Sequence, residues 1–314
     1  MAKASRQAFG EALLKLAPSR PDMVVLDADL SKSTMTAAFA KQYPERHFEF
    51  GIAEHNMLGA AAGLAFCGKV PVATSFACFL AGRLETIRVS IAYSRANVKM
   101  VGTHAGLGIG EDGATQMGLE DVAAMRALPG VAVVQPADEA ETLQAVEWML
   151  GHDGPVYLRL TRQTLPDVHG PDYRFRCGAS DCVHEPSPGE GRLQATVFAS
   201  GGTVGPAVEA ARALAQRGFR VRVLNCATLA PFDEAAVQEA ASSSQRLVTV
   251  EDHNLVGGLG SAVCEALASR GKACPVLRLG AREFGESGTA EELYRKHGLS
   301  SEHIAEACVR NLDP

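Results

Sequence analysis

Residues 70–103, with the sequence VPVATSFACFLAGRLETIRVSIAYSRANVKMVGT, decide the fold class. The segment begins with an apolar run, Val70–Phe76, passes through a helix-like stretch, Leu80–Ser94, and ends in a second apolar run, Val98–Thr103. Short and nearly continuous apolar runs are typical of strands in a parallel sheet that is covered on both faces. A helical stretch between two such runs predicts a βαβ unit.

The same alternation of strand and helix extends from this unit in both directions. Further predicted strands are Met23–Asp27, Val131–Gln135 and Val156–Leu160. Further predicted helices are Ser33–Gln42, Glu54–Cys67, Leu119–Leu128 and Asp138–Leu150. We therefore expect residues 1–165 to form an α/β domain with a doubly wound, mostly parallel sheet.

A change in composition separates this domain from a second one. From Thr164 to Arg192, prolines and glycines crowd a polar stretch without periodicity, which predicts a linker over residues 166–191. Residues 192–314 then show a second, smaller α/β pattern. Its predicted strands are Ala195–Ala199, Arg220–Leu224, Arg246–Glu251 and Pro275–Leu279. Its predicted helices are Val204–Arg217, Asp233–Ser242 and Gly260–Ser269.

The composition argues against several classes of function. The formal net charge is −6 and the basic residues are scattered, which argues against nucleic acid or a membrane surface as a partner. The sequence shows neither a signal peptide nor an apolar run long enough to span a bilayer. Eight cysteines without a C-x-x-C pair indicate free thiols, so we expect a cytoplasmic protein that has no metal ligands of its own.

Three segments of the first domain carry side chains that packing alone does not require. Phe50–Met57 places Glu54 near a helix start, where open α/β sheets bind ligands, although a carboxylate there can also simply complement the helix dipole. Phe76 and Phe79 lie three positions apart and can form an apolar wall, although such pairs are usually core. Gly102–Gly113 is a glycine-rich loop whose spacing fits neither the dinucleotide fingerprint nor the P-loop.

Taken together and in order, these motifs resemble the transketolase family. The matching motifs are Glu54-His55, the pair Phe76 and Phe79, His104 followed by Gly110-Glu111-Asp112-Gly113, and Arg162. The resemblance spans the first domain almost entirely. The second domain is similar to the family's C-terminal domain more loosely, through Val250–Asn254 and the glycines that follow. The resemblance implies a domain of the type that binds the pyrimidine of thiamine diphosphate, followed by a transketolase C-terminal domain.

The resemblance implies thiamine diphosphate as the cofactor. In the family, a glutamate that matches Glu54 hydrogen-bonds to N1′ of the aminopyrimidine. This bond favours the imino tautomer, whose nitrogen removes the C2 proton, so Glu54 is an expected catalytic residue. Phe76 and Phe79 match the aromatic residues that stack on the pyrimidine, and Asp29 matches an acid beside the cofactor.

The resemblance also implies sugar phosphates as substrates. The residues that match phosphate-holding positions of the family are Arg6, Ser33, His104 and Arg162. We expect His104 to be catalytic as well. Asp112 matches the acid that bonds to donor-sugar hydroxyls. Gln116 stands where many transketolases have a histidine at the base of the donor pocket. Because the animal-type branch also has glutamine there, catalysis is not excluded, but histidine-based donor discrimination is in doubt.

The resemblance further implies a partner subunit. Transketolases hold the diphosphate through a divalent metal, using a Gly-Asp-Gly motif in a preceding domain, and this sequence contains no such motif. We therefore expect the C-terminal subunit of a split transketolase, which transfers a two-carbon ketol unit only together with an N-terminal subunit that holds Mg²⁺ or Ca²⁺. Because family active sites lie at a two-fold interface, an α2β2 assembly is expected.

Three alternatives stay open on the sequence. One is the beta subunit of a 2-oxoacid dehydrogenase's decarboxylating component, although that family lacks the phosphate-contacting set. Another is a deoxyxylulose phosphate synthase, which is normally one chain. The third is a non-catalytic assembly subunit, which would be expected to have lost the glutamate that this chain retains at Glu54.

Overall fold

The computed structural model describes residues 2–310, so Met1 and residues 311–314 of the predicted C-terminal domain lie outside the described residues. The strands, in chain order, are β1 (Lys3–Ala4), β2 (Met23–Asp27), β3 (His47–Glu49), β4 (Val70–Phe76), β5 (Lys99–Thr103), β6 (Ala132–Val134), β7 (Val156–Arg159), β8 (Thr164–Leu165), β9 (Asp181–His184), β10 (Leu193–Ala199), β11 (Val221–Asn225), β12 (Thr228–Ala230), β13 (Ser244–Asn254) and β14 (Val276–Ala281).

Helices cover the faces of the sheets that these strands form. The α-helices are α1 (Ser5–Leu16), α2 (Ala37–Gln42), α3 (Glu54–Phe66), α4 (Ala77–Ala81), α5 (Leu84–Thr86), α6 (Asp121–Arg126), α7 (Glu139–Gly151), α8 (Val204–Ala215), α9 (Glu234–Ser243), α10 (Leu259–Ser269), α11 (Ala290–Lys296) and α12 (Ser301–Val309). A π-helical segment covers Ile87–Tyr93, and 3-10 turns cover Pro44–Arg46, Leu107–Ile109 and Gly201–Thr203. Within residues 2–310, no helix combines the length and the apolar character needed to cross a bilayer.

The first sheet has seven strands in the described part of the chain, in the order β12-β6-β7-β5-β4-β2-β3. Neighbouring strands are parallel except for β12, which runs antiparallel to β6. Strand β2 pairs with β3 on one side and with β4 on the other, so the order of the strands reverses between β2 and β4. Such a switch point leaves a crevice for a ligand at the carboxyl ends of the strands.

The second sheet joins five strands of the described chain in the order β14-β13-β10-β11-β9. Its strands are parallel except for β9, which runs antiparallel to β11 and lies inside the predicted linker. Strand β12 follows β11 in the chain but belongs to the first sheet. The C-terminal part of the chain therefore contributes one edge strand to the first domain's sheet, and the domain boundaries at residues 165 and 192 stay a prediction.

The buried apolar side chains pack on both faces of the first sheet. Along β2, Val24 and Leu26 belong to one core cluster whereas Met23 and Val25 belong to another, as the two-residue period of a strand requires. The first of these clusters continues into the C-terminal domain and includes Phe198. Burying a side chain of this size contributes about 1.5–3 kcal/mol, so the shared cluster stabilises the contact between the domains.

The predicted fold class is confirmed, but two predicted helices were wrong in extent. The stretch Leu80–Ser94 is not one helix, because α4 ends before Gly82 and a π-helical segment starts at Ile87. Glycine is a poor helix former, which favours the break. The stretch Ser33–Gln42 becomes helical only from Ala37. Ahead of it, hydroxyls of Thr34 and Thr36 donate to the buried Asp27 carboxylate at 2.6 and 3.0 Å and hold a turn.

Candidate active site at the carboxyl edge of the first sheet

Glu54 is a buried carboxylate at the first position of α3, with 4% of its surface exposed. The helix begins there because the short strand β3 ends five residues earlier and Gly51, with φ of 65°, turns the chain. The Ser75 hydroxyl donates to Glu54 Oε1 at 3.4 Å, and Arg83 Nη2 lies 3.7 Å from Oε2. Both contacts are long, so the carboxylate can accept a stronger hydrogen bond from a ligand.

An aromatic stack lies at the end of β4, directly after Ser75, the residue that contacts Glu54. The rings of Phe76 and Phe79 stack with centroids 5.5 Å apart and planes 7° from parallel. The other neighbour of Phe76 is the imidazole of His104, at a centroid distance of 3.9 Å. Phe76 is buried and Phe79 is half-buried. The predicted apolar wall is therefore present, and it ends at the imidazole of His104.

Arg6, His104 and Ser33 come together although they are far apart in the sequence. Arg6 Nη1 donates to the Ser33 backbone carbonyl at 2.8 Å and to His104 Nε2 at 3.1 Å. Arg6 reaches this position because β1 pairs antiparallel with β8, which anchors the start of α1 beside the chain that leads from β7 to Arg162. The sequence reasoning assigned no strand or helix to this N-terminal segment.

His104 is neutral in this setting. Arginine can only donate hydrogen bonds, so Nε2 of His104 is the acceptor and its proton lies on Nδ1, which is 2.9 Å from Thr103 Oγ1. Burial, together with the positive charges of Arg6 and Arg162, lowers the pKa of His104 to about 3. The imidazole therefore serves as a hydrogen-bonding group at neutral pH.

Arg162 adds a second cationic side chain to the same rim. Its Nη1 atom donates to the Ile109 backbone carbonyl at 2.8 Å and lies 3.4 Å from Asp112 Oδ1 and 3.8 Å from Glu111 Oε2. Burial, and then the positive charge of Arg162, lower the pKa of Arg6. The two guanidinium groups provide cationic hydrogen-bond donors for an anionic ligand, and Asp112 and Glu111 offset part of their positive charge.

The other predicted residues are placed less directly. Asp29 is exposed after β2, with a left-handed φ of 63°, and its backbone N–H donates to Glu49 Oε1 at 2.7 Å. Gln116 is half-buried, and its backbone carbonyl accepts from the Cys78 thiol at 3.2 Å. Ser33 contributes its carbonyl to Arg6, whereas the resemblance did not specify which of its atoms would act.

Sequence reasoning missed two neighbours of the Glu54 carboxylate. Ser75 lies on β4 one position before Phe76, and Arg83 follows the glycine that ends α4. The sequence shows Ser75 as a polar residue beside Phe76, but it does not show that Ser75 contacts Glu54, because that contact depends on the order of the strands in the sheet. Arg83 was hidden because the sequence pattern predicted a continuous helix there.

One cluster of possible metal-ligating groups occurs in the described chain away from this rim. Ligand atoms of Glu141, His169 and Asp181 lie within 4.8 Å of one another. Protein groups already engage the first two: His169 Nδ1 is 2.9 Å from Asp138 Oδ2, and Glu141 accepts from both Tyr173 and Asn225. The cluster joins α7 to the predicted linker and to β11, and we assign no metal to it.

Two family models match the chain. The model described as "Transketolase, pyrimidine binding domain" matches residues 1–168, and "Transketolase, C-terminal domain" matches residues 190–304. The chain belongs to the transketolase family. Membership of this family implies dependence on thiamine diphosphate.

Relatives of similar length support the same conclusion. The "Putative transketolase C-terminal section" of Methanocaldococcus jannaschii is 41% identical and covers 99% of this chain and 96% of its own length. A "6-deoxy-6-sulfo-D-fructose transketolase subunit SqwH" of Clostridium sp. is 39% identical over 96% of this chain and 92% of its own length. A solved structure described as "Split gene transketolase, inactive beta4 tetramer" is 42% identical. It superposes with a TM-score of 0.87 over 98% of this chain and 97% of its own.

Proposed function

We propose that this chain is the C-terminal subunit of a thiamine diphosphate-dependent transketolase that transfers a two-carbon ketol unit between sugar phosphates. The observation that carries the proposal is the arrangement of the carboxyl rim. The buried Glu54 carboxylate is contacted by Ser75, which directly precedes the stacked ring of Phe76. His104 stacks on Phe76 and contacts Arg6, and Arg162 is close enough to lower the pKa of Arg6. A cofactor and a charged substrate placed side by side require these two kinds of contact.

The residues of this chain fit the pyrimidine end of the cofactor. Glu54 has a carboxylate oxygen with only a 3.4 Å protein hydrogen bond, which suits acceptance from a ring N–H in a buried setting. The half-buried ring of Phe79 offers apolar stacking area, and the buried ring of Phe76 packs against it. When bound, thiamine diphosphate supplies the nucleophilic carbon that carries the two-carbon unit. The role of this chain is to hold and orient the pyrimidine, to exclude water and to accept a hydrogen bond from the protonated N1′ at Glu54.

The diphosphate end requires a second subunit in this proposal. The sequence has no Gly-Asp-Gly motif, so we assign Mg²⁺ or Ca²⁺ and the diphosphate contacts to an N-terminal partner in an α2β2 assembly. The split-gene relative described as an inactive beta4 tetramer supports this division, because it pairs self-association with the absence of activity. A cytoplasmic location belongs to the same proposal, and cell fractionation would test it.

The anionic group of the substrate is proposed to bind between Arg6 and Arg162, with His104 as a neutral hydrogen-bonding group beside it. A phosphate suits two guanidinium groups because each can donate two parallel hydrogen bonds to it. A relative named for 6-deoxy-6-sulfo-D-fructose favours a second candidate, a sugar that carries a sulfonate in place of the phosphate. Asp112 beside Arg162 is proposed to bond to donor hydroxyls, and Gln116 to line the base of the donor pocket.

Reconstitution tests the proposal. The purified chain alone should show no ketol transfer and no tight binding of thiamine diphosphate by calorimetry, with or without Mg²⁺. Addition of the diphosphate-binding subunit from the same genome should restore both, and the E54Q variant should bind cofactor in the complex without turnover. Micromolar cofactor binding by the chain alone would contradict the division between two subunits. An inactive wild-type complex with every phosphorylated or sulfonated donor would contradict the enzyme assignment.

A further inference from the structure

Asp252, a residue of the C-terminal domain, reaches into the glycine-rich loop of the candidate active site. It lies near the end of β13 and is 1% exposed. Its Oδ1 atom accepts from the backbone N–H of Leu107 at 2.6 Å, and its Oδ2 atom accepts from that of Gly108 at 3.0 Å. The Tyr294 hydroxyl donates to Oδ2 at 2.9 Å and accepts from Gln163 Nε2 at 2.8 Å. A carboxylate with three donors is held in one orientation.

The loop is shaped to admit this carboxylate. Gly106 has a left-handed φ of 79°, and a Cβ atom at this position would collide with the Asp252 carboxylate. A second segment of the C-terminal domain packs on the same loop. A Cβ atom at Gly285, before α11, would lie 2.7 Å from Leu107 Cδ2 in the loop and 2.5 Å from Met117 Sδ just after it.

The loop that Asp252 holds carries the groups that face the substrate. It begins at His104, its Ile109 carbonyl accepts from Arg162 at 2.8 Å, and it presents Asp112 3.4 Å from the same guanidinium. The carbonyl that orients Arg162 belongs to Ile109, two positions after Leu107, whose N–H is bound by Asp252. A shift of the loop at Leu107 is therefore transmitted to the anion-binding arginine.

We infer that Asp252, oriented by Tyr294, is a positioning residue through which the C-terminal domain sets the geometry of the substrate-binding loop. This inference rests on the proposed function. It gives the C-terminal domain a defined part in substrate binding: the domain touches no proposed substrate atom but fixes the loop that carries Asp112 and that orients Arg162.

The neighbouring residue provides a matched control. Glu251 is also a buried carboxylate of β13, and it likewise accepts two backbone hydrogen bonds, from Leu259 at 2.7 Å and from Gly260 at 2.9 Å. Both of these donors belong to the C-terminal domain's own helix α10. Glu251→Gln and Asp252→Asn therefore make the same chemical change one residue apart, and only the second touches the substrate loop.

The test measures two quantities in wild type, D252N and E251Q. Amide hydrogen exchange of peptides from residues 105–118 is followed in the full chain, and D252N should speed it by roughly ten-fold or more whereas E251Q should not. Steady-state kinetics in the complex with the diphosphate-binding subunit should show KM for a phosphorylated donor raised roughly ten- to thirty-fold in D252N, with kcat changed far less. Y294F keeps the ring but removes the hydroxyl that donates to Asp252, so it should speed loop exchange and raise KM by less than D252N does. If D252N does not fold, Y294F takes its place in the test.

Two results would overturn the inference, and the second of them would also overturn the proposed function. An active wild-type complex in which D252N, or Y294F in its place, matches E251Q in loop exchange and in KM overturns the inference alone. A wild-type complex that transfers no ketol unit overturns the proposed function and, with it, this inference.

Discussion

Arg162 offers the most direct test of the proposed anion subsite. Its side chain is 34% exposed, and its Nη1 atom already donates to Ile109, which leaves the other guanidinium N–H groups for a substrate. Removal of one charge-assisted hydrogen bond costs about 1.5–3 kcal/mol. Because a third of the side chain meets solvent, we take the lower half of this range. Arg162→Ala should then raise KM for a phosphorylated donor roughly ten- to forty-fold.

The assay compares two donors in the reconstituted complex. Hydroxypyruvate has no phosphate, so its KM should stay within about two-fold of wild type, the remaining effect coming from the loosened Ile109 contact. Arg20→Ala is the control, since Arg20 pairs with Asp22 before the amino end of β2, at the opposite rim of the sheet. Equal losses on both donors would refute the reasoning and would make Arg162 a structural residue of the loop.

Three further outcomes are expected. Glu54→Gln should fold normally and slow exchange of the cofactor's C2 proton in the complex by roughly 10²- to 10⁴-fold, followed by NMR; unchanged exchange would exclude a catalytic role. Since the pKa of His104 is lowered to about 3 in the folded chain, its contribution to stability is lost as the pH falls from about 6.5 toward 3. The urea midpoint of wild type should therefore fall between about pH 7 and about pH 5, and that of His104→Asn should fall by less. An equal fall in the two proteins would contradict this expectation. Asp121→Asn removes the negative charge that lies 2.8 Å from the fully buried Arg159 guanidinium, and it should lower the free energy of unfolding in urea by about 3–5 kcal/mol. Glu185→Gln, at the more exposed pair with Arg222, is the control and should cost at most about 1 kcal/mol. Equal costs for the two variants would contradict a special role for burial.

Local sequence pattern was sufficient for much of the fold. Strands β2 and β4 have the predicted bounds. Every residue of each strand is buried, because helices cover both faces of the sheet, so a nearly continuous apolar run marks the strand from its first residue to its last. The helix errors arose where one residue overrode the pattern. Gly82 ended a helix that its apolar neighbours favoured, and Asp27 held the following threonine hydroxyls in a turn.

The candidate site was predictable only to the level of its motifs. Glu54, Phe76 and Phe79 could be assigned to the same rim because each lies at or after the end of a strand, but the sequence did not show that β2 separates those two strands. The approach of Arg6 to His104 depends on pairing between β1 and β8, whose residues are far apart in the sequence, and no local period encodes that contact. Asp252 was visible only as part of a family match, since its partners Leu107 and Gly108 lie in another domain.

Strand β12 limits how this protein can be divided or recombined. The two family models split the chain between residues 168 and 190, yet β12, at Thr228–Ala230, completes the edge of the first sheet beside β6. A fragment that stops at the linker would expose the backbone of β6 as an unpaired edge, which is a template for aggregation. A chimera that exchanges C-terminal domains at the proline-rich segment should therefore carry a β12 that matches the β6 edge of the first parent, because a crossover after Ala230 would instead divide the second sheet, separating β13 and β14 from its other strands.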